Sequence, residues 1–337
     1  MLLRRSEMVS LKDYAGREQS YVKHVFLERY LEVLVHKTAS TYLHIVYVDG
    51  FAGPWQSANE RFEDTSFGVA INALRRARDS WKKKGRAVRM SAYLVERDLA
   101  AYAKLALVTE RYSDITIKTY SADFLAVLPE ILKDIPSDAF AFLLIDPKGW
   151  RIPLRALAPM LARPRSEVIF NFMFDFINRA ASIDDSVTRL NELMPCVDWR
   201  VKLDQAERVT GRSLTPEERK ETLVGAFTES LALLGGYKYV AEATILRPLA
   251  DRPLYCLCYA SRHERGIETF RDCQVKALAA QSKTRATTKL RHAAASSGQG
   301  EFFGSIAARL RERGELLFPD WEKRKRVPQA YYRTQRP

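Results

Sequence analysis

Tyr42–Trp55 reads Y-L-H-I-V-Y-V-D-G-F-A-G-P-W, and this stretch decides the fold. Leu43 to Val48 is a short apolar run rich in β-branched residues and bounded by turn signals, the pattern of a strand buried on both faces. The run ends in Asp49 and passes into Gly50-Phe51-Ala52-Gly53, where the chain turns tightly. Glycine lets a ligand approach the backbone because it has no Cβ. A buried strand that runs into a glycine-bearing loop at its carboxyl end is how open α/β folds build nucleotide sites. The full G-x-G-x-x-G spacing is absent, and Trp55 follows where a third close-approach glycine would fall.

On either side of this stretch, β and α patterns alternate. Upstream, Ser20 reads as the N-cap of a helix over 21–36, with Val22, Phe26, Tyr30 and Leu34 on one face. Downstream, Thr65 or Ser66 is placed to cap a helix through 70–80. Strands are expected at 88–96, 115–120, 140–146 and 168–172, with helices at 99–111, 124–132 and 153–161 between them. This alternation predicts a Rossmann-like, doubly wound, mostly parallel sheet with helices on both faces. Residues 178–236 break the rhythm as a helical insertion, with helices near 184–193 and 216–234. Strands at 237–246 and 253–260, joined by a short turn, predict an antiparallel pair at the end of the sheet. A helix over 266–279, a basic polar stretch and an Ala/Ser/Gly-rich linker at 293–300 follow. The organisation expected is an N-terminal helix (1–40), a cofactor-binding core (41–177), the insertion (178–236), the last strands (237–262) and a basic C-terminal extension (263–337).

The chain of 337 residues is 47% hydrophobic, enough for a sizeable core, and carries a net charge of +13. The last 75 residues hold 16 Lys and Arg against 8 Asp and Glu. Such an imbalance favours an anionic partner, either nucleic acid or an acidic surface, with Lys323, Arg324, Lys325 and Arg326 as its contact. Trp321, Tyr331 and Tyr332 beside these cations suit stacking on unpaired bases. Cys196, Cys256, Cys258 and Cys273 fit no zinc spacing and read as free thiols in a reducing cytosol. No apolar run approaches the roughly 20 residues of a membrane span. The chain therefore reads as soluble and cytoplasmic, with no membrane and no metal.

Four acids end or follow predicted strands: Asp49, Glu96, Asp123 and Asp146. In a doubly wound sheet the ligand lies outside the carboxyl ends of the strands, so all four face one crevice. The backbone of Gly50, Phe51, Ala52 and Gly53 suits a ligand's amino-acid or phosphate portion. Glu96 is placed to accept both hydroxyls of a ribose. Asp123 suits an adenine amino group, with Phe124 packing on the ring, and Asp146 faces the reacting group. Each acid alone serves equally well as a helix N-cap. Asp49 and Glu96 lie 47 residues apart, whereas a dinucleotide fingerprint places its ribose acid about 20 residues past the glycines. That spacing counts against an NAD enzyme.

Y-V-D-G-F-A-G-P (47–54), V-E (95–96), A-D-F (122–124) and L-L-I-D-P-K-G-W (143–150) resemble the motifs of class I S-adenosylmethionine-dependent methyltransferases. More specifically, the chain resembles the three-Cys-motif partner family, TcmP, over residues 20–275. Supporting matches are Lys23 and Tyr30 on the leading helix, T-S-F-G-V-A-I-N-A-L (65–74) and L-Y-C-L-C-Y-A-S-R-H-E-R-G (254–266). The resemblance implies S-adenosylmethionine as cofactor, with its methionine end at Asp49–Gly53, its ribose on Glu96 and its adenine at Asp123 and Phe124. It also implies a separate protein partner that carries a three-cysteine cluster motif. Amino-methylating enzymes on nucleic acid use (Asp/Asn)-Pro-Pro-aromatic, in which the aromatic stacks on a flipped base. Here Asp146, Pro147, Lys148 and Trp150 stand at that place as candidate catalytic residues, with lysine for the second proline and the aromatic displaced. Asn171, Asp175 and Arg179 follow the fifth strand onto the same rim. The residues leave two other readings open: a non-catalytic nucleotide-binding partner of the same fold, and a metal-dependent nuclease using Asp49 and Asp146.

Overall fold

The computed structural model describes residues 10–53, 57, 62–147 and 149–297. A short 3-10 turn (Leu11–Tyr14) leads into α1 (Glu18–Ala39), β1 (His44–Asp49), α2 (Ser66–Lys83), β2 (Arg89–Glu96), α3 (Leu99–Arg111) and β3 (Thr116–Ser121). Then come α4 (Phe124–Asp134), β4 (Phe140–Ile145), α5 (Ala158–Leu161), β5 (Ser166–Phe172), α6 (Phe174–Ala180), α7 (Val187–Leu193), α8 (Trp199–Thr210) and α9 (Pro216–Gly235). The strands β6 (Tyr239–Leu246) and β7 (Pro253–Ser261) and the helix α10 (Glu264–Ser297) complete the described chain.

The seven strands form one sheet in the order β3-β2-β1-β4-β5-β7-β6. The first five are mutually parallel, and β7 runs antiparallel to both β5 and β6. This is the doubly wound, mostly parallel sheet expected from the sequence, including its antiparallel end. The strand order reverses between β1 and β4, so the fold's crevice opens outside their carboxyl ends. The two strands are buried along their whole length because helices cover both faces. On one face α1, α2, α3 and α10 pack against Ile45, Tyr47, Ala92, Phe142 and Ile169. On the other, α4 to α9 pack against Val46, Val48, Leu143 and Phe170. Cys256 and Cys258, two apart on β7, both point into this second layer.

Local chemistry sets most boundaries. Thr65 caps α2, its hydroxyl accepting from Gly68 N. Gly68 in the T-S-F-G motif has to be glycine, because a Cβ there would lie 1.9 Å from the carbonyl oxygen of Phe62. Thr215 and Glu218 form a full capping box at α9.

Several expectations need correction. Ser20 lies inside the first turn of α1; the cap is Arg17, because the chain arrives through the left-handed Gly16. The helix expected at 153–161 is a 3-10 turn followed by a single α turn, since Pro159 removes a donor at the start of α5. Asp198 and left-handed Gly211 delimit an additional helix, α8, in the insertion. The stretch expected as a linker at 293–300 is helical over 293–297, its described residues. Its run of alanines is a strong helix former, and neither Gly nor Pro interrupts it before Gly298. The candidate contacts Lys323–Arg326 with Trp321, Tyr331 and Tyr332, and the loop residues Pro54, Trp55 and Lys148, lie outside the described residues.

Candidate functional site

Side chains alternate along a strand, so residues of equal parity share a face. Tyr47 and Asp49 on β1, Leu94 and Glu96 on β2, Leu144 on β4 with Asp146 just beyond it, and Ile169 and Asn171 on β5 point to the α1 side of the sheet. The structure thus brings Asp49, Glu96, Asp146 and Asn171 to one face at the carboxyl edge. The chain ahead of α1 enters at this edge, because α1 ends beside the start of β1. Its first turns therefore cover the crevice. Lys23 from α1 places its Nζ 2.5 Å from Asp146 Oδ2. Tyr255 at the start of β7 donates to the carbonyl of Gln19 at 2.7 Å and closes the other side.

Asp49 is only 1% exposed. It accepts from Tyr47 Oη at 2.9 Å and from the Phe51 backbone N–H at 3.0 Å. Both partners are neutral, and burial pushes the Asp49 carboxyl up to about 7 against these hydrogen bonds. Glu96 is also buried. It accepts from the Asp98 backbone N–H at 2.7 Å, yet loss of solvent still raises it above the usual carboxylate range. At both positions the hydrogen bonds received do not offset the loss of solvent.

The glycine loop is shaped by an aromatic ring. A Cβ on Gly50 would lie 2.6 Å from Phe124 Cδ1, so the ring packs flush on the backbone here. Phe51 meets the same ring edge-on at 5.9 Å. Phe124 is thereby buried as the floor of the loop. Asp123 is the N-cap of α4, accepting from Leu125 N at 2.9 Å, and its carboxylate is exposed above that floor.

At the reacting end both carboxylate oxygens of Asp146 are engaged. Oδ2 takes Lys23 Nζ, and Oδ1 takes Asn171 Nδ2 at 2.5 Å. The Asn171 amide nitrogen also faces Met173 Sδ at 3.6 Å, which fixes which end of the amide is nitrogen. Asn171 Oδ1 is buried and, among the described residues, has no hydrogen-bond partner. It is the unused acceptor beside Asp146, and it matches a group bearing an N–H or O–H. Pro147 and Trp150 follow Asp146, with Gly149 between them in a left-handed turn that favours glycine. Trp150 packs against the second-layer core. Among the described residues, no group of three or more His, Cys, Asp or Glu is placed to hold a metal ion.

Sequence reasoning named Lys23 only as a residue on the leading helix, and no spacing links it to Asp146, 123 positions away. The arginines of the β6–β7 connection were also passed over. Their place was implicit in the antiparallel turn, which returns the chain to the carboxyl edge beside Asn171.

No family model and no curated protein matches this sequence. Among solved structures, the chain resembles a Legionella pneumophila str. Philadelphia 1 protein of the DUF519 family. That match has a TM-score of 0.46 at 13% identity, over 79% of this chain and 93% of that one. It also resembles loganic acid methyltransferase with SAH, at a TM-score of 0.35 and 7% identity over 92% of each chain. A third likeness is to a putative Zn-dependent alcohol dehydrogenase of Rhodobacter sphaeroides, with a TM-score of 0.24 at 13% identity over 68% and 88% of the two chains. All three TM-scores lie below 0.5, and none carries a functional argument. No helix among the described residues is long and apolar enough to cross a membrane.

Proposed function

We propose that this chain is an S-adenosylmethionine-dependent methyltransferase that acts on nucleic acid. The observation that carries the reading is the convergence of Asp49, Glu96, Asp146 and Asn171 on one face of the sheet, at the switch point between β1 and β4. The residues present fit that cofactor. Glu96 and Asp49 are carboxyls raised by burial, which a ribose diol and a cationic methionine end would respectively compensate. Asp123 stands exposed over the Phe124 floor, where an adenine amino group finds an acceptor. Bound there, the cofactor supplies an electrophilic methyl group on a sulfonium.

The chain's own part is positioning. Asn171 Oδ1 accepts a hydrogen from the incoming amino or hydroxyl group and so orients its lone pair. Asp146 holds the Asn171 amide in that orientation, and Lys23 holds Asp146. Since both Asp146 oxygens are engaged, a proton released by the acceptor leaves to solvent or through rearrangement of the Lys23 pair. The same engagement of Asp146 favours a second reading, a module that holds the nucleotide without transferring a methyl. The three-Cys-motif protein partner is part of the proposal and rests on the sequence motifs alone.

Calorimetric titration with S-adenosylmethionine and S-adenosylhomocysteine tests the cofactor, using wild type, Asp49→Ala and Glu96→Ala. The reading expects micromolar binding by wild type and at least a tenfold loss in each variant. A folded wild-type protein that binds neither compound would sink it. Binding without transfer of a labelled methyl group to total RNA or DNA would support the second reading.

A further inference from the structure

We infer that the nucleic-acid backbone is gripped by an arginine rim built around Asp175. The inference rests on the nucleic-acid reading above and says where on the molecule that substrate sits. Asp175 lies in the first turn of α6, four residues beyond Asn171, so it lies within about 14 Å of it along the chain. Its side chain is 4% exposed, and three guanidinium groups converge on it. Arg247 reaches Oδ2 at 2.6 Å, Arg179 reaches Oδ2 at 3.1 Å, and Arg252 lies 3.7 Å from Oδ1. One carboxylate cannot neutralise three cations, so an excess of two positive charges is held at a single point on the rim.

The rim is held in place by its neighbours. Arg247 and Arg252 begin and end the β6–β7 turn, closed by a hydrogen bond from Arg247 N to the Arg252 carbonyl at 2.9 Å. From α10, Arg285 donates to the carbonyls of Arg247 and Ala250, each at 2.9 Å, and Gln281 accepts from Leu246 N at 2.9 Å. Like charges fixed this close repel each other, and a bound anion relieves the repulsion. Guanidinium is also the cation whose planar fork matches a phosphate. Among the described residues, the buried Arg247 Nε–H has no hydrogen-bond partner. The outer two arginines are open to solvent, with the Arg252 side chain 69% and the Arg179 side chain 58% exposed.

An aromatic ring completes the surface. Phe176, on the first turn of α6, is 46% exposed, and the Arg179 guanidinium lies over its ring at 5.0 Å. Cations interleaved with an exposed ring form the contact that single-stranded nucleic acid uses, phosphate on arginine and base on ring. An acidic protein would need the cations but not the ring.

The test is fluorescence anisotropy of labelled single-stranded RNA and DNA of about 20 nucleotides, without cofactor. It compares full-length wild type with Arg252→Ala, Arg179→Ala/Arg252→Ala, Phe176→Ala and a variant with Lys323, Arg324, Lys325 and Arg326 all changed to Ala. Arg247 is left in place so that buried Asp175 keeps a partner, and melting curves confirm the fold. The double variant is expected to weaken binding at least tenfold, with about half the loss in Arg252→Ala. Its salt slope should fall by about 1.4 for two lost phosphate contacts on a single strand. Phe176→Ala is expected to weaken binding about fivefold with the slope unchanged. The inference is overturned by no binding by wild type, by wild-type binding by the double variant, or by competition by polyglutamate as strong as by oligonucleotide. Loss of binding only in the tail variant overturns it too. Cofactor titration of the same preparations separates the two claims, because an intact cofactor site with a silent rim removes only this one.

Discussion

Asp49 bears the clearest conflict between stability and site chemistry. Its pKa is raised to about 7 when folded, against about 4 in an unfolded chain. The unfolded state therefore gives up its proton first, and stability falls as pH rises from about 4 to about 7. Asp49→Asn keeps an acceptor for Phe51 N and carries no charge to desolvate. It is expected to raise stability at pH 8 by on the order of 2–4 kcal/mol, with little change near pH 4, while weakening cofactor binding. Urea denaturation at the two pH values checks the sign. Asn171→Asp works the other way, setting a second carboxylate where the amide now lies 2.5 Å from Asp146. The pair must share a proton, so its raised pKa makes the variant tolerable at low pH and unstable as pH rises. A loss of about 1–3 kcal/mol at pH 8 that shrinks at pH 5 is expected from melts at both values. At this scale the acids were legible in the sequence because each ends or closely follows a strand. The partners of Asp146 were not, because Lys23 and Asn171 meet it across the fold and the sequence shows only neighbours along the chain.

At the scale of elements, the glycine loop and α4 behave as one unit. Gly50→Ala would drive a methyl group into the Phe124 ring, at a cost of about 1–3 kcal/mol. Phe124→Leu, which leaves room, is expected to recover part of that loss, and a double-mutant cycle on urea midpoints measures the coupling. The strands and the helices α2, α3 and α4 were readable because their caps lie in the sequence: Thr65 before α2, Asp98 before α3, Asp123 before α4. Short helices were harder to read. Leu154–Leu161 divides into a 3-10 turn and one α turn whose periodicity alone resembles a single helix. The continuity of α10 was hidden by its polar composition. What fixes it is tertiary, with Gln281 and Thr284 buried and Arg285 bonded to the β6–β7 turn.

Across the whole molecule, the two ends of the sheet do different work. At the amino end, buried Glu167 on β5 accepts from Tyr30 on α1 at 2.5 Å and from Ser261 at the end of β7 at 3.1 Å. Phe270 of α10 packs edge-on against Phe26 at 4.9 Å and stacks on Tyr259 at 4.7 Å. The first and last described helices are thus locked to the sheet and to each other. Tyr30→Phe removes one of the donors holding a buried carboxyl that burial already raises, and is expected to cost about 1–3 kcal/mol. Because the crevice lies at the other end, cofactor affinity measured on the same variant should change less than about threefold. The lock leaves α10 aimed toward the crevice. Gln281 meets the last residue of β6, so it stands level with the carboxyl edge of the sheet. The sixteen residues from there to Ser297 carry the helix about 24 Å farther. That overhang acts as a boom. A group attached at its last described turn would stand on the side where the crevice opens, at a local concentration set by that attachment and not by its abundance in solution.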